Sequence, residues 1–131
     1  MKLVNIGTVM RMLLLDDMVD GFADCALSTE LIRSVCGEAS YAVCVRYADC
    51  VPMAVFYPSH IYDDDVVRMT GDEDVHGGLV VTGYEEDVGP RGLTGFEESL
   101  LRSRLELRRA GGRTTLALTG ITKRPRPMTV G

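Results

Sequence analysis

Leu79-Val80-Val81-Thr82, then Val88-Gly89-Pro90-Arg91-Gly92-Leu93-Thr94-Gly95, then Phe96-Glu97-Glu98-Ser99-Leu100-Leu101 is the stretch that decides the fold. The first segment is rich in β-branched residues, which reads as a strand. The glycines and Pro90 make a turn. Thr94 and Glu97 form the T-x-x-E pattern of a capping box, in which a hydroxyl and a carboxylate satisfy the first free amides of a helix. That start predicts a helix over residues 96–110, with Phe96/Leu100 and Leu101/Leu105 as its apolar face. Glu98 and Arg102 fall at i,i+4, the acidic start and basic end complement the helix dipole, and Gly111-Gly112 stop it. Residues 114–118 then read as another strand. A glycine loop between a strand and a helix N-terminus is where α/β proteins often hold a phosphate.

Working outward, residues 2–6 read as a short strand. Residues 8–22 read as a helix because Leu15, Met18, Val19 and Phe22 follow i, i+3, i+4, i+7. Ser28 is a good N-cap for a second helix, with Leu27 as staple, Leu31, Ile32 and Val35 as its buried side, and Gly37 as its stop. Tyr41, Val43, Val45 and Tyr47 alternate with Ala42, Cys44 and Arg46, and Ala48-Asp49 turns this strand into a second one over residues 51–57. Pro52 belongs at a strand start, an edge or a bulge, and Pro58-Ser59 breaks the run. Residues 66–69 read as a third strand of this group, and a loop over 71–78 leads to Leu79. The order β-α-α-β-β-β-β-loop-α-β gives an α/β (α+β) class: a mixed, mostly antiparallel sheet flanked by helices. One domain covers residues 1–121, and residues 122–131 form a basic, proline-containing C-terminal tail.

The chain has 131 residues, 46% hydrophobic and 25% charged, enough for a core without metal or disulfide support. No apolar run reaches membrane-span length, and the block Met12 to Leu15 is too short for a secretory h-region. The expectation is a cytoplasmic protein. The four cysteines, at 25, 36, 44 and 50, include no C-x-x-C pair, so they read as reduced core residues rather than a zinc or redox site. The net charge of −5 conceals an asymmetry: residues 1–90 carry five basic and 16 acidic side chains, residues 91–131 nine basic and three acidic. Such a basic C-terminal segment suits an anionic protein partner, with an oligomer also compatible; equally, the two halves can pair within the fold.

Arg91-Gly92-Leu93-Thr94-Gly95-Phe96, lying after a strand and before a helix, resembles the coenzyme A loop of the GNAT family of N-acetyltransferases, whose form is Arg/Gln-x-x-Gly-x-Gly/Ala. The likeness runs by element order over about residues 41–118. It implies a GNAT-like sheet with two splayed strands, acetyl-CoA as cofactor, and Arg91, Gly92, Leu93, Thr94 and Gly95 as the residues that hold it. Glu85 and Glu86, at the end of the preceding strand, would be the general-base candidates. The sequence departs from the family at Thr94 and Phe96, where small residues are expected. Glu97 and Glu98 would repel a diphosphate, by about 1–4 kcal/mol per unit charge near contact, and the family's next helix does not follow. The resemblance therefore implies a shortened GNAT-like domain, a compact kind found among phage proteins, virion components included; the host cytoplasm or the virion would then be its location. The other class is a non-enzymatic structural or interaction protein, of a phage virion or mobile element, that docks through its charge asymmetry and tail.

Asp63-Asp64-Asp65, Asp72-Glu73-Asp74 and Glu85-Glu86-Asp87 lack the spaced ligand pattern of a calcium loop and read as solvated turns. His60 and His76 sit in no catalytic motif. The basic tail has no interleaved aromatics and the chain as a whole is acidic, which argues against nucleic acid.

Overall fold

The computed structural model describes residues 8–15, 20–36, 41–58, 78–110, 113–118, 120–122 and 124–125. The strands expected at 2–6 and 66–69, both histidines, the first two acidic triplets, Gly37, Gly111-Gly112 and most of the tail lie outside them. The described elements are β1 (Val9–Leu15), β2 (Asp20–Ala26), α1 (Thr29–Cys36), β3 (Tyr41–Ala48), β4 (Val51–Pro58), β5 (Leu79–Glu85), β6 (Gly89–Arg91), α2 (Gly95–Arg102), β7 (Leu105–Ala110), β8 (Arg113–Leu118) and β9 (Ile121–Thr122). Seven strands form one sheet in the order β2-β1-β5-β4-β3-β9, with β6 also paired to β5, and every described pairing is antiparallel. The expected α+β class, a largely antiparallel sheet flanked by helices, is what the chain adopts.

Burial on both faces makes this sheet the middle layer. One face carries Leu13, Leu15, Met53, Val55, Tyr57, Leu79 and Val81, and α2 closes over it through Leu101. The other carries Met12, Leu14, Ala54, Phe56 and Val80, covered by Ile32, Val35 and Cys36 of α1. Ser28 caps α1 as expected, accepting a hydrogen bond from the Leu31 amide at 3.1 Å. No described cysteine is in a disulfide, but the expected core role holds only for Cys36: Cys25 and Cys44 are half-buried and Cys50 is exposed on the β3–β4 turn. Burial pushes Cys36 up to about 12, the behaviour of an inert core thiol.

Two expected helices need correction. The described residues of 8–22 are not helical: β1 and β2 pair antiparallel with Leu13 opposite Phe22 and Leu15 opposite Asp20, while Met18 and Val19 of the expected stripe lie outside the described residues. The reason is two-sided burial. Met12 to Leu15 is an apolar run whose alternate side chains enter opposite core clusters, and such a run gives no period by which to tell a strand from a helix.

The second correction concerns residues 96–110, where α2 stops at Arg102 and β7 begins at Leu105. Ser103 ends the helix, its amide bonding the Ser99 carbonyl at 3.1 Å and its hydroxyl donating to the Leu100 carbonyl at 2.6 Å. β7 pairs with β8 in a separate two-stranded sheet, with Ala110 opposite Arg113. The glycine pair expected to stop a helix thus falls between two hairpin strands, a two-residue spacing that is itself a hairpin signal.

Arg104 ties this end to the main sheet. Its guanidinium meets Asp49 of the β3–β4 turn at 2.9 Å and donates to the Gly120 carbonyl at 2.9 Å. Asp49 and Gly120 are both left-handed, at φ 56° and 72°. Among the described residues no helix is long and apolar enough to cross a membrane.

Because neighbouring residues of β1 enter different clusters, Leu13→Ala and Leu14→Ala are each expected to cost about 2–5 kcal/mol. Urea denaturation checks this: a helix with one buried stripe would tolerate at least one of the two changes.

Candidate functional site

The residues expected to hold a cofactor lie where two strands of the sheet part. β1 pairs with β5 through Leu13–Val81, Leu14–Val80 and Leu15–Leu79. Past Val81, β5 takes β6 as its neighbour instead, with Gly83 opposite Arg91 and Glu85 opposite Gly89. The chain after β6 runs between the two strands, and the Leu93 amide donates to the Arg11 carbonyl of β1 at 2.9 Å. Gly92 passes so close that a Cβ there would lie 3.2 Å from the Arg11 nitrogen.

Arg91 fills this gap. Its Nη1 and Nη2 donate to the two carboxylate oxygens of Glu97 at 2.7 and 2.9 Å, its Nε to Glu85 at 3.0 Å, and Nη1 also to the Gly92 carbonyl at 2.8 Å. Glu97 is buried, and its Oε1 also accepts the Thr94 amide at 2.9 Å, while the Glu97 amide donates to the Thr94 hydroxyl at 3.1 Å. The capping box read from the sequence is therefore formed in both directions. Burial acts to raise the Glu97 pKa, but the bonds from Arg91 and the Thr94 amide outweigh it and hold the carboxyl below its ordinary value. The same pair raises Arg91, chiefly through the bond to Glu97.

A second set of charges sits one turn along. Glu98 accepts from Arg11 Nε on β1 and from Arg102 Nε and Nη2 at 3.2 and 3.1 Å. The bond from Arg11 is the main cause that lowers Glu98. Arg11 also stands 3.6 Å from Asp24, and Arg102 lies over the Phe22 ring at 4.4 Å. The expected Glu98–Arg102 pair is present, but Arg11 is the member sequence could not supply, being 87 residues from its partner.

The expected site residues thus separate by role. Arg91, Gly92, Leu93 and Thr94 come together, and their polar groups bond to protein: the guanidinium to two carboxylates, the Leu93 amide to β1, the Thr94 amide to Glu97. Gly95 opens α2 and is exposed. Of the two base candidates, Glu85 is bound to Arg91 with its side chain 56% exposed, and Glu86 is exposed on the β5–β6 turn. Among the described residues no group of three or more metal-ligating side chains converges. Gly83 is a residue that sequence reasoning passed over. A Cβ there would collide with Arg91 Nη1 and lie 3.0 Å from the Gly92 carbonyl, and a glycine inside a strand pattern is a signal of such close approach.

Glu97→Gln keeps a capping oxygen but removes the charge paired with Arg91, so it is expected to cost about 1.5–3 kcal/mol, the range for hydrogen bonds to charged groups. Glu85→Gln, at an exposed pair, should cost about 1 kcal/mol or less. A folded carboxylate held below its ordinary value stabilises fully above an unfolded pKa of about 4.3 and loses that contribution as pH falls through the folded value. The stability gap between wild type and Glu97→Gln should therefore narrow on acidification below that point, measured by thermal denaturation across pH.

Comparison with protein-family models, with curated proteins and with solved structures returned no match to this chain.

Proposed function

We propose that this chain is a non-enzymatic interaction or structural domain, of a phage virion or mobile element, and that the loop before α2 is a structural joint rather than a cofactor site. The observation that carries this reading is the internal use of the loop's donors. A pyrophosphate cradle needs amides and a cation directed at the ligand; here the Leu93 and Thr94 amides and Arg91 are bonded to Arg11, Glu97 and Glu85. Two carboxylates held below their ordinary pKa, Glu97 and Glu98, stand in the first turn of the helix and oppose a diphosphate there.

Docking falls to the basic C-terminal part. Arg91, Arg102 and Arg104 are paired inside the fold with Glu97, Glu98 and Asp49. Residues 105–131 still hold six basic side chains against one acidic. Arg108, Arg109 and Arg113 stand at the closed end of the β7–β8 hairpin, and Lys123, Arg124 and Arg126 follow β9. That surplus suits an acidic protein surface, by attraction that falls with salt.

The competing reading, a GNAT-like acetyltransferase domain with Glu85 or Glu86 as base, draws its support from Arg91-Gly92-Leu93-Thr94-Gly95 lying where two strands diverge. Acetyl-CoA separates the two. A site saturated at about 100 times its dissociation constant adds roughly 2.7 kcal/mol of stability. The expected outcome is no thermal shift at millimolar acetyl-CoA and no acetyl transfer to amines. A shift accompanied by transfer, lost in a Glu85/Glu86→Gln variant, would overturn the interaction reading. A salt-sensitive complex that disappears when residues 123–131 are deleted, with β9 intact, is the positive expectation.

A further inference from the structure

Among the described residues, one edge of the main sheet is open. β9 covers β3 only at Tyr47 and Ala48, so among the described residues no strand pairs with residues 41–46 on that side. The prolines show which backbone groups point there. Pro52 and Pro58 of β4 stand opposite Tyr47 and Tyr41, and Pro90 of β6 opposite Tyr84. A residue without an N–H fits the non-hydrogen-bonded pairs of an antiparallel ladder. The bonded pairs between β3 and β4 are then Ala42–Tyr57, Cys44–Val55, Arg46–Met53 and Ala48–Val51. Along a strand the N–H and C=O of successive residues alternate in side, so Tyr41, Val43, Val45 and Tyr47 turn theirs away from β4. Two contacts agree: the Tyr47 carbonyl accepts from Thr122 Oγ1 at 3.4 Å, and the Val45 carbonyl from Arg46 Nη1 at 3.1 Å.

Open edges are normally blunted by charge, proline, bulges or a covering helix or loop. The other edge strand, β2, has Asp20, Asp24 and a left-handed Gly21 at φ 136°. Residues 41–45 have no charge or proline, and among the described residues no strand covers them; they read Tyr-Ala-Val-Cys-Val and all are half-buried.

We propose that β3 pairs antiparallel with β3 of a second copy of this chain, about a twofold axis at Val43. The alternation selects the register. Bonded pairs must join residues that face outward, so Val43 meets Val43, and Tyr41 meets Val45 of the second copy. Ala42 then stands opposite Cys44 of the second copy in a non-bonded pair. This register fills the open length; the next one along would set Tyr41 against Tyr47 and displace β9. Every pair is uncharged, and Tyr–Val and Val–Val neighbours across strands are favourable. A charged peptide would find no counter-charge between Tyr41 and Val45. The contact is isologous and closes as a dimer. It stands independently of the docking role of the basic segment.

The full chain is therefore expected to be a dimer by light scattering and sedimentation, dissociating on dilution, with the Val43 and Val45 amides slow to exchange in the dimer and fast once it dissociates. Ala42→Cys should form an intermolecular disulfide to Cys44 under mild oxidation, identified by mass spectrometry and lost in Ala42→Cys/Cys44→Ser. Val43→Pro removes a donor that β4 does not use, and should weaken self-association by about tenfold or more, since the loss of one such bond is worth about 1 kcal/mol and two are lost per dimer. A monomer at all concentrations overturns the proposal, and protected Val43 and Val45 amides in that monomer would show that the chain covers its own edge. A dimer that forms no 42–44 disulfide overturns it as well, by placing the contact elsewhere.

Discussion

The Arg91–Glu97 pair is the contact on which the rest of the structure depends. Where β1 and β5 separate, the sheet admits β6 and the chain that follows it, and with them backbone groups that must be bonded away from water. Arg91 satisfies this with a guanidinium whose donors reach both oxygens of Glu97, the Gly92 carbonyl and Glu85. Glu97, in turn, is fixed at the third position of α2 by the capping box. One planar fork thus joins strand, wedge and helix start. Bidentate geometry of this kind is specific to arginine, and removing either member leaves the other charge in a site it could not occupy alone. Gly83 is the steric counterpart, because a methyl group on β5 would occupy the space of the guanidinium.

The same arrangement governs what the loop can do. An anion-binding helix start keeps its first amides unoccupied. In α2 the Thr94 amide goes to Glu97 and the Glu97 amide to Thr94, and the carboxylates at positions 97 and 98 are held ionised by Arg91 and Arg11. The Leu93, Thr94 and Glu97 amides are bonded within the protein, so a diphosphate held at those amides would have to displace the interactions that fasten the helix to the sheet. Stability of the joint and binding of a diphosphate at the same amides are therefore in competition, and the ion pairs favour the joint.

Much of this was legible in the residues. The Leu79 strand, the capping box, the Ser28 cap and the hairpin of β3 and β4 are local patterns, and each forms as the pattern requires. The failures have physical causes. Met12 to Leu15 is buried on both sides of the sheet, which erases the alternation that marks a strand. Leu105 fits an apolar position of a continued helix as well as a strand start, and only the two-residue Gly111-Gly112 spacer favours the hairpin. Arg11, bonded to Glu98 across 87 residues, leaves no local trace, so the second half of the charge network was beyond reach. Gly83 did leave one, since a glycine in a buried strand pattern signals a close neighbour.

Charge and apolar surface are sorted in this molecule in a way that bears on how it meets others. The basic excess after residue 90 is partly absorbed within the fold by Glu97, Glu98 and Asp49. What is left stands at the end of the β7–β8 hairpin and in the segment after β9. The open edge of β3 carries no charge from Tyr41 to Val45, and ends where β9 begins. Pairing along that edge would be made of backbone hydrogen bonds and β-branched contacts, which salt leaves nearly unchanged. Attraction through the arginine-rich hairpin and tail falls off within a Debye length of about 10 Å at 0.1 M salt. The two proposed modes of association, one nearly indifferent to salt and one weakened by it, would thus occupy separate places on one small domain, and neither draws on the groups that hold the wedge together.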